Sequence, residues 1–262
     1  MTARDLLAAE WIKLWSLRST RWLLGLGALA LIAIAAQSAA TTYQQWPGFG
    51  PTQRAHYDPM SEAFSGFSVA LLMIGAGSVG ALAIVGEYAT GLIRTTLTAV
   101  PARHRVVAAK VTVLAGVSLA AGAVVSLGAF AVSQAVVSGR GVGLSLTDPG
   151  VPRVLAAHAL LAPVSALVGL GLGALLRHTA AAVVSTCAAL VIVPGFFKPS
   201  VHQWANELYG LFPYYAWRGT LSLLAPRDSP ALPSIADSWL AYALWPLAAA
   251  VVAVVVVRRR DV

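Results

Sequence analysis

Six long apolar stretches, roughly 22–40, 66–86, 108–136, 154–176, 179–197 and 238–257, dominate this chain of 262 residues. Each is long enough to cross a hydrocarbon core about 30 Å thick, which takes ~20 residues at helical rise. Asp, Glu, Lys and Arg are kept out of their middles, and Lys110 stands near one end of the third. In lipid every backbone N–H and C=O must be satisfied within the segment, and a helix does this. The expected fold class is therefore an all-α membrane protein with six transmembrane helices in a single domain over 1–262.

The loops sort the charge. Under an alternating assignment one side holds Arg4, Lys13, Arg18, Arg21, Arg94, Arg103, Arg105, Lys110, Arg177, Arg258, Arg259 and Arg260. The other holds Arg54, Arg140, Arg153, Lys198, Arg218 and Arg227. The richer side is expected to be cytoplasmic, with both termini there. Charged residues make up 11% of the chain and hydrophobic ones 58%, whereas soluble domains carry about 25% charged residues; a soluble fold is excluded. Asp5, Glu10, Glu87 and Asp261 leave the cytoplasmic side with all of the net +8, and six acids balance the six basic residues outside. That excess is juxtamembrane and suited to anionic lipid, so the lipid bilayer is an expected partner and nucleic acid is not. The single cysteine, Cys187, can form no internal disulfide. Ala36-Gln37-Ser38 imitates a cleavage site, but the apolar run starts only after an amphipathic leader, so the first span is expected to be kept.

Residues 4–21 read as a helix lying on the membrane surface. Leu7, Trp11, Leu14 and Trp15 share an arc, and Trp11, Trp15 and Arg18 are the expected interface residues. Turn formers from Tyr43 to Glu62 predict an external loop. Residues 87–105 form the longest internal loop, read as a short helix and a turn at Val100-Pro101 before the third span. Arg177-His178 predicts an antiparallel hairpin of spans four and five. The extracellular segment 198–237 is polar at its ends but aromatic in its middle, with Trp204, Tyr209, Phe212, Tyr214, Tyr215 and Trp217. It reads as short re-entrant or interfacial helices before the last span.

Several motifs fail on context. Gly75-Ala76-Gly77-Ser78-Val79-Gly80 spells G-x-G-x-x-G, yet it lies within a span rather than between a strand and a helix. Its glycines, like Gly169 and Gly173, are expected to serve close helix packing. There is no G-x-x-x-x-G-K followed by Ser or Thr, hence no P-loop. The five histidines are scattered, so no metal site is expected. Ser126, Ser165 and Ser185 are expected to bond back to their own helices. The chain is not expected to be an enzyme. No carboxylate lies clearly mid-span, which weighs against an ion-coupled carrier; a non-transport scaffold or sensor-associated subunit is the other alternative.

On a continuous helix Glu87, Gly91 and Arg94 would share one face. The stretch Glu87-Tyr88-Ala89-Thr90-Gly91-Leu92-Ile93-Arg94, with Leu97, Pro101, Arg103 and Ala109-Lys110, resembles the signature of type-2 ABC exporter permeases. Leu92 stands where Thr is frequent in that family. The segment Glu10-Trp11-Ile12-Lys13-Leu14-Trp15-Ser16-Leu17-Arg18-Ser19 and the closing Arg259-Arg260-Asp261 are also similar to it. The resemblance implies a permease subunit in the plasma membrane, paired with a second permease copy as a homodimer or heterodimer. It implies an ABC ATPase subunit that carries ATP and Mg, with no cofactor on this chain. The coupling residues it implies are Glu87, Tyr88, Gly91, Ile93, Arg94, Leu97, Pro101 and Arg103, with Glu87 to Leu97 docking on the ATPase. Cargo is not specified by these residues.

Overall fold

The structure is a computed structural model that describes residues 2–100, 102–197, 209–221 and 234–259. No strand occurs among them. Helix α1 (Ala3–Ser16) opens with a capping box: the Thr2 hydroxyl accepts from the Asp5 N–H at 3.3 Å, and the Asp5 carboxylate accepts from the Thr2 N–H at 2.7 Å. Two orphan N–H groups are satisfied in this way. Those bonds hold the Asp5 carboxyl below the usual carboxylate range.

Leu17 then adopts an extended conformation (φ −76°, ψ 112°), and α2 (Arg18–Gln45) starts at once. The single surface helix expected over 4–21 is thus two elements joined by a sharp hinge. Two short helices, α3 (Pro51–Ala55) and α4 (Met60–Ala63), lead to α5 (Gly66–Ala89), which is capped by Ser65. Gly91, at φ 69°, breaks the chain before α6 (Leu92–Ala99). That left-handed conformation suits glycine because it has no Cβ. The long α7 (Arg103–Val137) follows, then α8 (Val151–Leu176).

Arg177 and His178 alone separate α8 from α9 (Thr179–Cys187), giving the expected hairpin. Span five is not one uniform helix: α9 runs into a π-helical turn at Ala188–Ile192 and a tight turn at Val193–Phe196 that contains Pro194. The last described elements are α10 (Pro213–Leu221) and α11 (Ile235–Arg259). Of the aromatic segment, Trp204 lies outside the described residues, whereas Trp217 on α10 is buried. Arg260 and Asp261 also lie outside them.

Six helical stretches are long and apolar enough to cross a membrane: Arg18–Gly48, Met60–Ala89, Arg103–Arg140, Val151–Leu176, Thr179–Phe196 and Ile235–Arg259. They are not equivalent. The most apolar stretch of α8 is 78% buried inside the protein, against 17% for α2. α8 is therefore the axis of the bundle; α5, α7 and α11 pack around it, and α2 lies outside against α7. The outward faces carry Leu26, Leu29, Phe67, Val184 and Leu247, all well exposed. An apolar surface of that extent needs a nonaqueous cover.

Glycines make the α5–α8 contact as close as it is. A Cβ on Gly80 would run into the Ala166 backbone, one on Gly169 into the Gly77 backbone, and one on Gly173 would come within 2.7 Å of Ile84. This is the small-residue packing expected of Gly77, Gly80, Gly169 and Gly173. Gly75 faces open space instead. The serines depart from expectation: Ser126 donates across to the Leu155 carbonyl of α8 at 3.0 Å rather than to its own helix. Ser165 is fully buried, and its hydroxyl has no hydrogen-bond partner among the described residues.

Candidate functional site

Four charged side chains meet where α1, α5 and α7 converge. Glu10 and Lys13 sit one turn apart on α1, Glu87 stands on the last turns of α5, and Lys110 on the second turn of α7. Lys13 Nζ lies 2.7 Å from Glu10 Oε1 and 3.0 Å from Glu87 Oε1. Lys110 Nζ lies 2.9 Å from Glu87 Oε1 and is also paired with Glu10 Oε2. Glu10, Glu87 and Lys110 are each 4–6% exposed. Burying one such ion costs several kcal/mol, which is recovered only when partners and further hydrogen bonds surround it. Here the two anions and two cations alternate, so the group is neutral as a whole.

Each ammonium also has a third acceptor. Lys13 donates to the Thr96 hydroxyl at 3.2 Å, and Lys110 to the Ala83 carbonyl at 3.5 Å. The Thr96 contact brings α6 into the network. Burial alone would lower the affinity of Lys13 for its proton. The hydrogen bond to Glu10 and the charge of Glu87 outweigh it and push the ammonium above its usual value.

A cavity of about 410 Å³ opens beside the cluster. Its charged end is the four-residue group, and its apolar wall includes Leu14, Leu17, Leu82, Val113 and Leu114. The volume falls in the range of small-molecule sites, about 300–1,000 Å³.

The residues expected to couple to a partner are divided by this geometry. Glu87 is enclosed in the cluster rather than turned outward. Because Gly91 ends the helix, Glu87, Gly91 and Arg94 do not share one helical face, contrary to the expectation for a continuous helix. Arg94 is exposed on α6, while Ile93 is 5% exposed and faces inward. Leu97 packs on a small apolar patch of Leu6, Val100, Val106 and Ala109, which seats α6 against α1 and the start of α7. Tyr88 lies beneath Arg177, whose guanidinium carbon is 4.6 Å from the ring centroid. Arg103 donates to the Val257 carbonyl of α11 at 3.1 Å. Pro101 lies outside the described residues.

On α1 the buried stripe is Leu6, Glu10 and Leu14. Leu14 therefore belongs to the inner face and not to the outward arc in which it was expected. Trp11 is 51% exposed beside Leu7 and Ile12, Trp15 is half-buried against it with ring centroids 5.6 Å apart, and Arg18 is exposed at the start of α2. Sequence reasoning counted Glu10, Lys13 and Lys110 among surface charges and missed that they join Glu87. A signal was present: Lys110 is the one cation inside an apolar stretch, and such a residue calls for a named partner.

The opposite end of the bundle holds a different buried carboxylate. Glu62, 6% exposed, accepts from Ser38 at 2.6 Å, Thr42 at 2.9 Å and Tyr57 at 3.2 Å. Among the described residues no cation pairs with it. Burial pushes up both the Tyr57 phenol and the neighbouring Asp58 carboxyl, and the charge of Glu62 adds to both.

No protein-family model matches this chain, and no curated protein matches it. What the geometry defines is a helical protein with six elements of membrane-crossing length and a buried ionic junction at the root of a short connecting helix.

Proposed function

We propose that the chain is the permease subunit of an ATP-driven exporter of the type-2 ABC class, powered by a separate ATPase subunit. The observation that carries this reading is α6: a short amphipathic helix between the second and third spans, hinged at Gly91 and tied at Thr96 to the Glu10–Lys13–Glu87–Lys110 group. An element fixed in this way passes displacement to three helices at once. Arg94, Thr95 and Thr98 form its exposed side and are the surface offered to an ATPase. Gly91 supplies the hinge, and Ile93 and Leu97 the seat. Glu87, Tyr88 and Arg103 anchor the ends of α5 and α7.

In this reading both termini and α6 are cytoplasmic, in accord with the positive-inside distribution. Helix α1 rests at the interface with Leu7, Trp11 and Ile12 toward lipid. Helix α10 belongs to the extracellular re-entrant part expected before the last span; residues 198–208 and 222–233 of that segment lie outside the described residues. Two permease copies, identical or related, enclose the path in the plasma membrane. ATP and Mg are bound by the ATPase, whose closure displaces α6 and alternately opens the path.

The test is co-purification of the chain with an ABC ATPase subunit, followed by ATP-dependent export in vesicles. Arg94→Glu and Gly91→Trp are expected to lose the ATPase while the chain stays folded. Export driven by this chain alone, or retention of complex and export by both variants, would refute the assignment.

A further inference from the structure

The hydrogen-bond inventory of the ionic cluster says what can enter the cavity beside it. Each ammonium faces three acceptors: Glu10, Glu87 and Thr96 for Lys13, and Glu10, Glu87 and Ala83 for Lys110. An ammonium has three N–H donors; Lys110 spends all three on these acceptors, while Lys13 donates to Glu10 and Thr96 and is held against Glu87 as an ion pair at 3.0 Å. Both oxygens of Glu10 are taken, and Glu87 Oε1 is shared by the two lysines. Glu87 Oε2 accepts no hydrogen bond among the described residues. The cluster therefore presents one unused acceptor, carried by a carboxylate, at the polar end of an otherwise apolar cavity.

We propose that this cavity binds a membrane lipid whose head is a primary ammonium, which donates an N–H to Glu87 Oε2 while part of one acyl chain lies along Leu82, Val113 and Leu114. Three features select that occupant. An anionic head meets two lysines already each paired with two carboxylates, and an unused carboxylate oxygen. A trimethylated ammonium has the same charge but no N–H to give. The wall of the cavity is built from the ends of membrane-length helices and from Leu17 at the α1–α2 hinge, where a bilayer lipid has its polar–apolar boundary. A charge-assisted hydrogen bond is about twice as strong as a neutral one, so the selection is expected to be measurable.

The inference stands apart from the transport reading, because it concerns binding to the chain by itself. The purified chain is equilibrated with equal amounts of phosphatidylethanolamine and phosphatidylcholine bearing the same acyl chains, and retained lipid is counted by native mass spectrometry. The wild type is expected to retain about tenfold more phosphatidylethanolamine, which corresponds to about 1.4 kcal/mol. Gly86→Leu is the blocking variant: a Cβ at Gly86 meets nothing within 4 Å, and the position lines the cavity, so the added side chain fills it without disturbing the helix contacts. It is expected to lose the retained lipid while its melting temperature is unchanged. Glu87→Gln, close to the same shape without the charge, is expected to bring the ratio near one. Equal retention of the two lipids by the wild type overturns the proposal, as does an excess that survives Gly86→Leu or Glu87→Gln. Loss of an ATPase partner or of transport has no bearing on these readouts.

Discussion

The two ends of the bundle solve one problem in opposite ways. At the α6 end, Glu10 and Glu87 are buried against two lysines drawn from different helices, and the result is an ionic junction with no net charge. At the far end, Glu62 is buried against three hydroxyls, two from α2 and one from the connecting segment, with no cation among the described residues. The first arrangement depends on every member, because removing one cation leaves two buried carboxylates sharing the other and a net negative charge. The second spreads the load over neutral donors and keeps its charge. An ionic junction of this kind ties three helices at one point and fails when any one member is lost. A hydroxyl cradle suits the fastening of a loop to its neighbouring span.

The comparison can be broken most directly by Lys110→Met. It strips Glu10 Oε2 and Glu87 of a partner, and breaking a buried pair costs about 3–5 kcal/mol. The expected outcome is a large fall in the thermal midpoint of the detergent-purified protein. A fall no larger than that of an exposed-cation control, Arg105→Met, would show that the junction is solvated. Glu62→Leu comes next. Ser38, Thr42 and Tyr57 each lose an acceptor, but all three are only partly buried and can turn to water, so the total is expected to stay within the about 1–3 kcal/mol of a single buried unsatisfied group, and the thermal midpoint should drop less than for Lys110→Met. The reverse order would invert the contrast between the two ends.

The smallest effect is alkaline. Lys13 is held above its usual value of 10.5 in the folded chain, so its contribution is intact below that pH and is lost as pH rises through the folded value. Tyr57 is raised from 10.0, so the folded state keeps a proton that the unfolded chain releases, and stability falls once pH passes 10.0. Both ends therefore weaken on the alkaline side. In unfolding titrations, Tyr57→Phe should remove the part that begins near pH 10.0, and Lys13→Met the part above 10.5. If neither variant flattens the profile, these groups do not govern it.

The layout of the bundle was readable in the sequence, because length and apolar content alone decide what can cross a membrane. The α8–α9 hairpin followed from the two residues between its spans, and the glycine packing from Gly77, Gly80, Gly169 and Gly173. The junction was not readable. Glu10, Glu87 and Lys110 come from three separate elements, and a charge count assigns each to a surface until the helices are placed. The face expected from Glu87 through Arg94 failed at one residue, since Gly91 turns the chain before the pattern can continue. Helix α1 misled for a related reason: its inner stripe contains Glu10, so an apolar arc could not identify which side is covered. The break at Leu17 carried no proline or glycine to announce it.

The contact between α5 and α8 has a bearing on how the molecule can change shape. Where Gly80 meets Ala166 and Gly169 meets Gly77, main chain rests on main chain. No rotamer lies between them to absorb a slip. The two helices must therefore travel as one splint. Whatever tilts the foot of α5 tilts the central axis with it, and compliance is left to the loosely covered α2 and to the π-turned half of span five.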